Sequence, residues 1–178
     1  MVPARAPWLV GGGGVALVGV VGSRSVVPPG VAPCVRSLVA AGHQVVTGCA
    51  PAGVDAAVRA AAPGCVVVRA AGRQPWQLAV RTRALVAQLA AAPGSQLVAW
   101  PSGPCPAVCA PGSSSAGGAG TWLAVALAVS AGVPVLVMLP AGVAAPAWPG
   151  GAWAPAAACG PWAAAVTWQP AAVQASLL

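Results

Sequence analysis

The chain has 178 residues, and its charged side chains are eight Arg, no Lys and one carboxylate, Asp55. A chain of this length is most simply one domain with a real core. The lack of Lys and of a second acid excludes chemistry built on a Walker lysine or on paired carboxylates, and the charge of +7 favours phosphate-bearing partners.

Residues 1–14 read as a mobile leader. Arg5 ahead of the apolar run Val15 to Val21 gives a faint look of a signal peptide, but Gly11 to Gly14 would weaken such a helix. The run is Val-rich and reads as a buried strand. After Pro28-Pro29-Gly30, Val35, Leu38 and Val39 at helical spacing predict a helix over 31–41, with Gly42 as its C-cap. Gln44 to Val46 reads as the second strand. Thr47 to Asp55 follows as a glycine-containing turn, and Asp55 to Ala62 as a helix ended by Pro63-Gly64.

Cys65 to Arg69 reads as the third strand. Trp76 to Ala92 is the longest predicted helix, with Arg81 and Arg83 near its start. Gln96 to Trp100 is the fourth strand, and a long loop runs from Pro101 to Gly118. A helix from Gly120 or Thr121 to Ala131 and a strand from Pro134 to Leu139 follow. Trp122 to Pro140 is nearly as long as a membrane span, but Gly132 and Pro134 divide it into a core helix and a buried strand, so no membrane is expected. The stretch 15–139 reads as the folded domain. Residues 140–178 form an Ala/Pro/Trp-rich tail packed on it, with an edge strand near 165–168.

Strands alternating with helices, and strands apolar almost throughout, predict an α/β fold. The expected form is a single-domain, doubly wound, mainly parallel sheet of about five strands. In such a sheet the C-terminal ends of the strands share one edge, where ligands bind. Gly22, Ser23 and Arg24 follow strand one. Gly48, Gly53 and Asp55 follow strand two. Arg81 and Arg83 open the helix after strand three, and Gly117, Gly118, Gly120 and Thr121 precede the helix after strand four. Glycine lets the backbone approach a phosphate, helix N-termini supply N–H donors, and Arg holds an oxyanion in two places. Asp55 either orients a ligand hydroxyl or caps its helix.

The six cysteines (Cys34, Cys49, Cys65, Cys105, Cys109 and Cys159) and the lone His43 support a four-ligand zinc site only weakly; free thiols in a reducing cytoplasm are the simpler reading, and no metal is expected.

Val20-Val21-Gly22-Ser23-Arg24 and Thr47 to Ala57 resemble the first two motifs of the DprA/Smf and SLOG superfamily of Rossmann-like nucleotide-binding domains. Arg81-Thr82-Arg83 is similar to its Arg-x-Arg helix start, and Leu97 to Pro101 with Gly117 to Thr121 to its strand and glycine-Thr turn. The resemblance implies a nucleotide or nucleotide derivative as ligand, held at the glycine-rich edge. The DprA branch implies single-stranded DNA instead. The Lonely Guy branch implies a nucleotide hydrolase or N-glycosidase, but it needs a carboxylate where this chain has Ala124. The expectation is therefore a cytoplasmic nucleotide-binding protein rather than an enzyme, with Asp55 the one candidate if there is catalysis. The Trp-rich tail is a candidate for contact with a second copy in a homo-oligomer.

Overall fold

The computed structural model describes residues 15–156 and 165–171; the expected leader and the end of the tail lie outside them. In chain order the elements are β1 (Leu17–Gly22), α1 (Val31–Ala40), β2 (Gln44–Gly48), α2 (Gly53–Ala61), β3 (Val66–Val68) and α3 (Pro75–Ala91). Then come β4 (Gln96–Trp100), α4 (Gly120–Ser130), β5 (Val135–Met138), β6 (Gly151–Pro155) and β7 (Ala165–Pro170). All lie in or on one sheet, ordered β3-β2-β1-β4-β5-β7-β6. β1 to β5 are mutually parallel, whereas β7 runs antiparallel to both β5 and β6.

The strands are apolar on both faces because helices cover both. Side chains alternate across each strand. Leu97, Ala99, Val135 and Val137 point to α3 and α4, while Val18, Val20, Val98 and Leu136 point to α1 and α2. Burying each such Val or Leu contributes about 2 kcal/mol. α4 is apolar all round because it is enclosed: Trp122, Leu123, Ala124, Val125 and Ala126 are all buried. The apolar segment from Trp122 to Pro140 is thus a helix and then a strand. Among the described residues no helix is long and apolar enough to cross a membrane.

Two expectations are corrected. The sheet is mixed and has seven strands, not a mainly parallel set of five. The segment near 165–168 is a strand, but it lies inside the sheet, between β5 and β6. The partner it needs, β6, reads Gly-Ala-Trp-Ala-Pro and has almost no intrinsic strand signal. It pairs because Trp153 lies opposite Trp168, with their ring centroids 5.3 Å apart. Trp148 stacks 5.5 Å from Trp153 and 6.2 Å from Trp122 and donates from Nε1 to the Cys109 carbonyl at 2.9 Å. The described tail tryptophans therefore pack on one another and on α4.

Candidate functional site

The strand order reverses between β1 and β4: the chain winds outward from β1 to β3, then crosses back to β4. At the C-terminal ends of β1 and β4 this leaves a crevice, the usual ligand position in an open parallel sheet. A cavity of about 320 Å³ occupies it. Gly22, Ser23, Arg24, Gly48, Asp55, Arg81, Gly118, Gly120 and Thr121 line this cavity. Gly53, Arg83 and Gly117 do not.

The β2–α2 turn is a braced wall. Thr47 is fully buried and donates from Oγ1 to the Val20 carbonyl at 2.8 Å. Asp55 is 4% exposed and lies inside the first turn of α2, three residues after Ala52, which is the N-cap. Asp55 is therefore not the helix cap. Its Oδ2 accepts the Ala50 N–H at 3.2 Å and Arg81 Nη1 at 3.3 Å. Oδ1 has no hydrogen-bond partner among the described residues. Burial pushes its pKa up; Arg81, the Ala50 N–H, Arg59 and Arg24 pull it down without overcoming that rise.

Two of the turn's own donors, the Ala50 and Val54 N–H groups, are spent. Val54 N–H donates to the Ser23 carbonyl at 2.8 Å, so the β1–α1 and β2–α2 loops are fastened together. A Cβ on Gly53 would collide with that same carbonyl and with the Arg24 backbone, and a Cβ on Gly48 would collide with Asp55 Oδ2. Gly53 thus serves the packing of the two loops. Ser23 is equally committed: its Oγ accepts the N–H groups of Ser25 and Val26, and its own N–H donates to the Trp100 carbonyl.

The open donors lie on the opposite wall. Ala119 is the N-cap of α4 and gives no side-chain bond. The N–H groups of Thr121 and Trp122 have no partner among the described residues, so they carry the positive end of the helix dipole into the cavity. Gly118 and Gly120 face open space: a Cβ at either meets nothing within 4 Å. Arg24 is exposed on the cavity rim and makes no hydrogen bond with any described residue. Ala124 turns a methyl group to the cavity, so no carboxylate stands opposite Asp55.

No family model, curated protein or solved structure matches the chain. The site is therefore read on its own chemistry. One wall carries the unpartnered N–H groups at the start of α4, and the exposed Arg24 faces them from the β1–α1 loop fastened to the β2–α2 turn. The other carries a braced Asp–Arg pair with one open carboxylate oxygen.

Arg81 and Arg83 do not open α3. The helix begins at Pro75, with Gln74 N–H donating to Gln77 Oε1 at 2.9 Å, so both arginines act through side chains from later turns. Arg81 reaches the cavity, where its Nε is buried without a hydrogen-bond partner. Arg83 turns away and donates to the Ser114 carbonyl at 2.6 Å. Sequence reasoning missed Arg59, which donates to the Gly48 and Ala50 carbonyls at 3.0 and 2.6 Å and holds the turn closed. Its place four residues after Asp55, on the same face of α2, was the available signal.

Cys49 stands beside this site, on a neighbouring groove that it shares with Arg24, Arg73 and Arg81. Burial acts to raise its pKa, but the Ala70 N–H, 3.3 Å from Sγ, and the Arg81 guanidinium outweigh it, and the thiol titrates below its ordinary value. Burial instead pushes Cys34 and Cys109 up to about 12. At pH 7.5 we expect limiting iodoacetamide to alkylate Cys49 at least about tenfold faster than Cys34 or Cys109. Peptide mapping by mass spectrometry checks this, and earlier labelling of either buried thiol would contradict it. Among the described residues no three His, Cys, Asp or Glu side chains lie together as a metal site.

Proposed function

We propose that this chain is a nucleotide-binding protein with a Rossmann-like, doubly wound core of the SLOG type. The nucleotide's phosphate sits between Arg24 and the start of α4. One observation carries the reading: unspent N–H donors at Thr121 and Trp122, the open glycines Gly118 and Gly120, and the unpartnered Arg24 converge on one crevice at the β1–β4 reversal. The open Oδ1 of Asp55 is suited to a ribose hydroxyl. The ordered motifs from Gly22 to Thr121 add the resemblance to that superfamily.

Binding is favoured over turnover. Glycosidic or phosphate hydrolysis needs a second group to move protons or activate water, and Asp55 has no such companion in the cavity. The five described cysteines are all free thiols, which suits a reducing cytoplasm.

Titration calorimetry with a panel of nucleotides, nicotinamide dinucleotides and ADP-ribose derivatives tests the reading. At least one should bind saturably. Arg24→Ala should weaken that binding by about ten- to thirtyfold, the worth of one charge-assisted contact to phosphate. If none binds, the reading fails. If binding is unchanged in Arg24→Ala, the phosphate is not where we place it.

A further inference from the structure

Trp76, in the first turn of α3, is 66% exposed. An indole there offers a flat apolar face with a polar N–H at its edge, suited to stacking. Trp76 lies on the wall of a second open groove, of about 510 Å³, that also holds Arg73 and Arg83. This groove shares Arg24, Gly118 and Gly120 with the first cavity. Arg24, Gly118 and Gly120 are therefore a common wall between two compartments, while Thr121 and Trp122 line only the first. Neither the 320 Å³ cavity nor the 510 Å³ groove is large, and small-ligand sites run from roughly 300 to 1,000 Å³.

The chemistry of the two compartments differs in a useful way. The first has the open carboxylate oxygen of Asp55, which suits a sugar hydroxyl. The second has no acid among its lining residues; it pairs a flat aromatic face with fixed positive charge, Arg83 being tied to the Ser114 carbonyl. An aromatic ring stacks on such a face whatever its edge pattern, and Trp76 lines the same groove as Arg24, Gly118 and Gly120.

We propose that Trp76 is the stacking platform of a second nucleobase subsite, so that the site takes two nucleosides joined through phosphate rather than one nucleotide. This rests on the nucleotide-binding reading above. Two sources present that chemistry: a free dinucleoside joined 5′ to 5′ through pyrophosphate, and adjacent nucleotides of a single strand.

The test compares wild type, Trp76→Ala and Trp76→Phe by calorimetry against pyrophosphate, AMP, diadenosine diphosphate and a deoxyadenosine hexamer. Trp76 is exposed, so neither variant should unfold. Trp76→Ala should weaken the two-base ligand about tenfold and leave pyrophosphate and AMP within about twofold, while Trp76→Phe keeps most of the affinity. Diadenosine diphosphate binding more tightly than the hexamer identifies the free dinucleoside, and the reverse identifies the strand. The subsite is overturned if AMP binds as tightly as both two-base ligands, or if Trp76→Ala weakens all ligands alike or none. If wild type binds none of the four, the nucleotide-binding reading falls, and the subsite with it.

Discussion

Gly53→Ala should destabilise the protein by about 3 kcal/mol, lowering the melting temperature by roughly 9 °C. Two costs add. Gly53 has φ of +73°, a conformation that L side chains rarely adopt. The added Cβ also runs into the Ser23 carbonyl and the Arg24 backbone, which cannot swing aside as a side-chain end would. The Ser23 carbonyl already accepts the Val54 N–H at 2.8 Å, so relieving the clash breaks the bond that joins the two loops. Denaturant midpoints measure the loss. Gly118 is the control: its φ of +88° carries the same backbone strain, but its Cβ position is empty. Gly118→Ala should therefore cost less, about 1 kcal/mol. Equal costs at both positions would mean that the loop contact adds nothing.

The second large effect is at Asp55. Asp55→Ala should cost about 3 kcal/mol at pH 7, because the buried Ala50 N–H loses its acceptor and Arg81 its partner. Asp55→Asn keeps an acceptor for Ala50 and removes a charge that burial disfavours, so it should cost only about 1 kcal/mol. The pH dependence has a definite sign. In the folded state the carboxyl's pKa lies above its ordinary value, about 3.9. Between those two values the folded chain holds the proton more tightly than the unfolded chain. Asp55 thus contributes stability at low pH that is lost as pH rises through the folded pKa. Urea midpoints across pH 3 to 7 should fall more steeply with rising pH for wild type than for Asp55→Asn. Parallel profiles would show that burial does not dominate at this carboxylate.

Much of the core was legible in the chain. Val15 to Val21, Gln96 to Trp100 and Pro134 to Leu139 are short apolar runs bounded by glycine, proline or polar turns, and each became a parallel strand. Helix starts were legible to within two residues, from Val31, at the observed place, to Asp55, two residues after the observed Gly53. Pro75 begins α3, one residue before the expected Trp76, because proline at the first position costs no hydrogen bond and Gln77 Oε1 accepts the Gln74 N–H. Asp55 looked like a cap from its place after a glycine. It instead lies within the first turn of α2, three residues after the N-cap Ala52, because the helix begins at Gly53 and not at Asp55.

Composition and pattern alone determined that the chain forms an α/β sheet covered on both faces, and that its glycines and one acid gather at the C-terminal edge. Hydrophobic period and turn chemistry are local, so a single sequence carries them. Only the tertiary structure decided which donors at that edge are free. The turn from Thr47 to Asp55 reads as an anion cradle, but Asp55 and Arg59 occupy some of its polar groups from nearby, and Ser23 takes the Val54 N–H from 31 residues away, which no local pattern records. Thr121 and Trp122, on the other wall, keep their N–H groups unspent. The β6–β7 pair is the same kind of case: β6 is a weak strand former, and its pairing with the expected strand β7 rests on the Trp153–Trp168 contact that the sheet brings about.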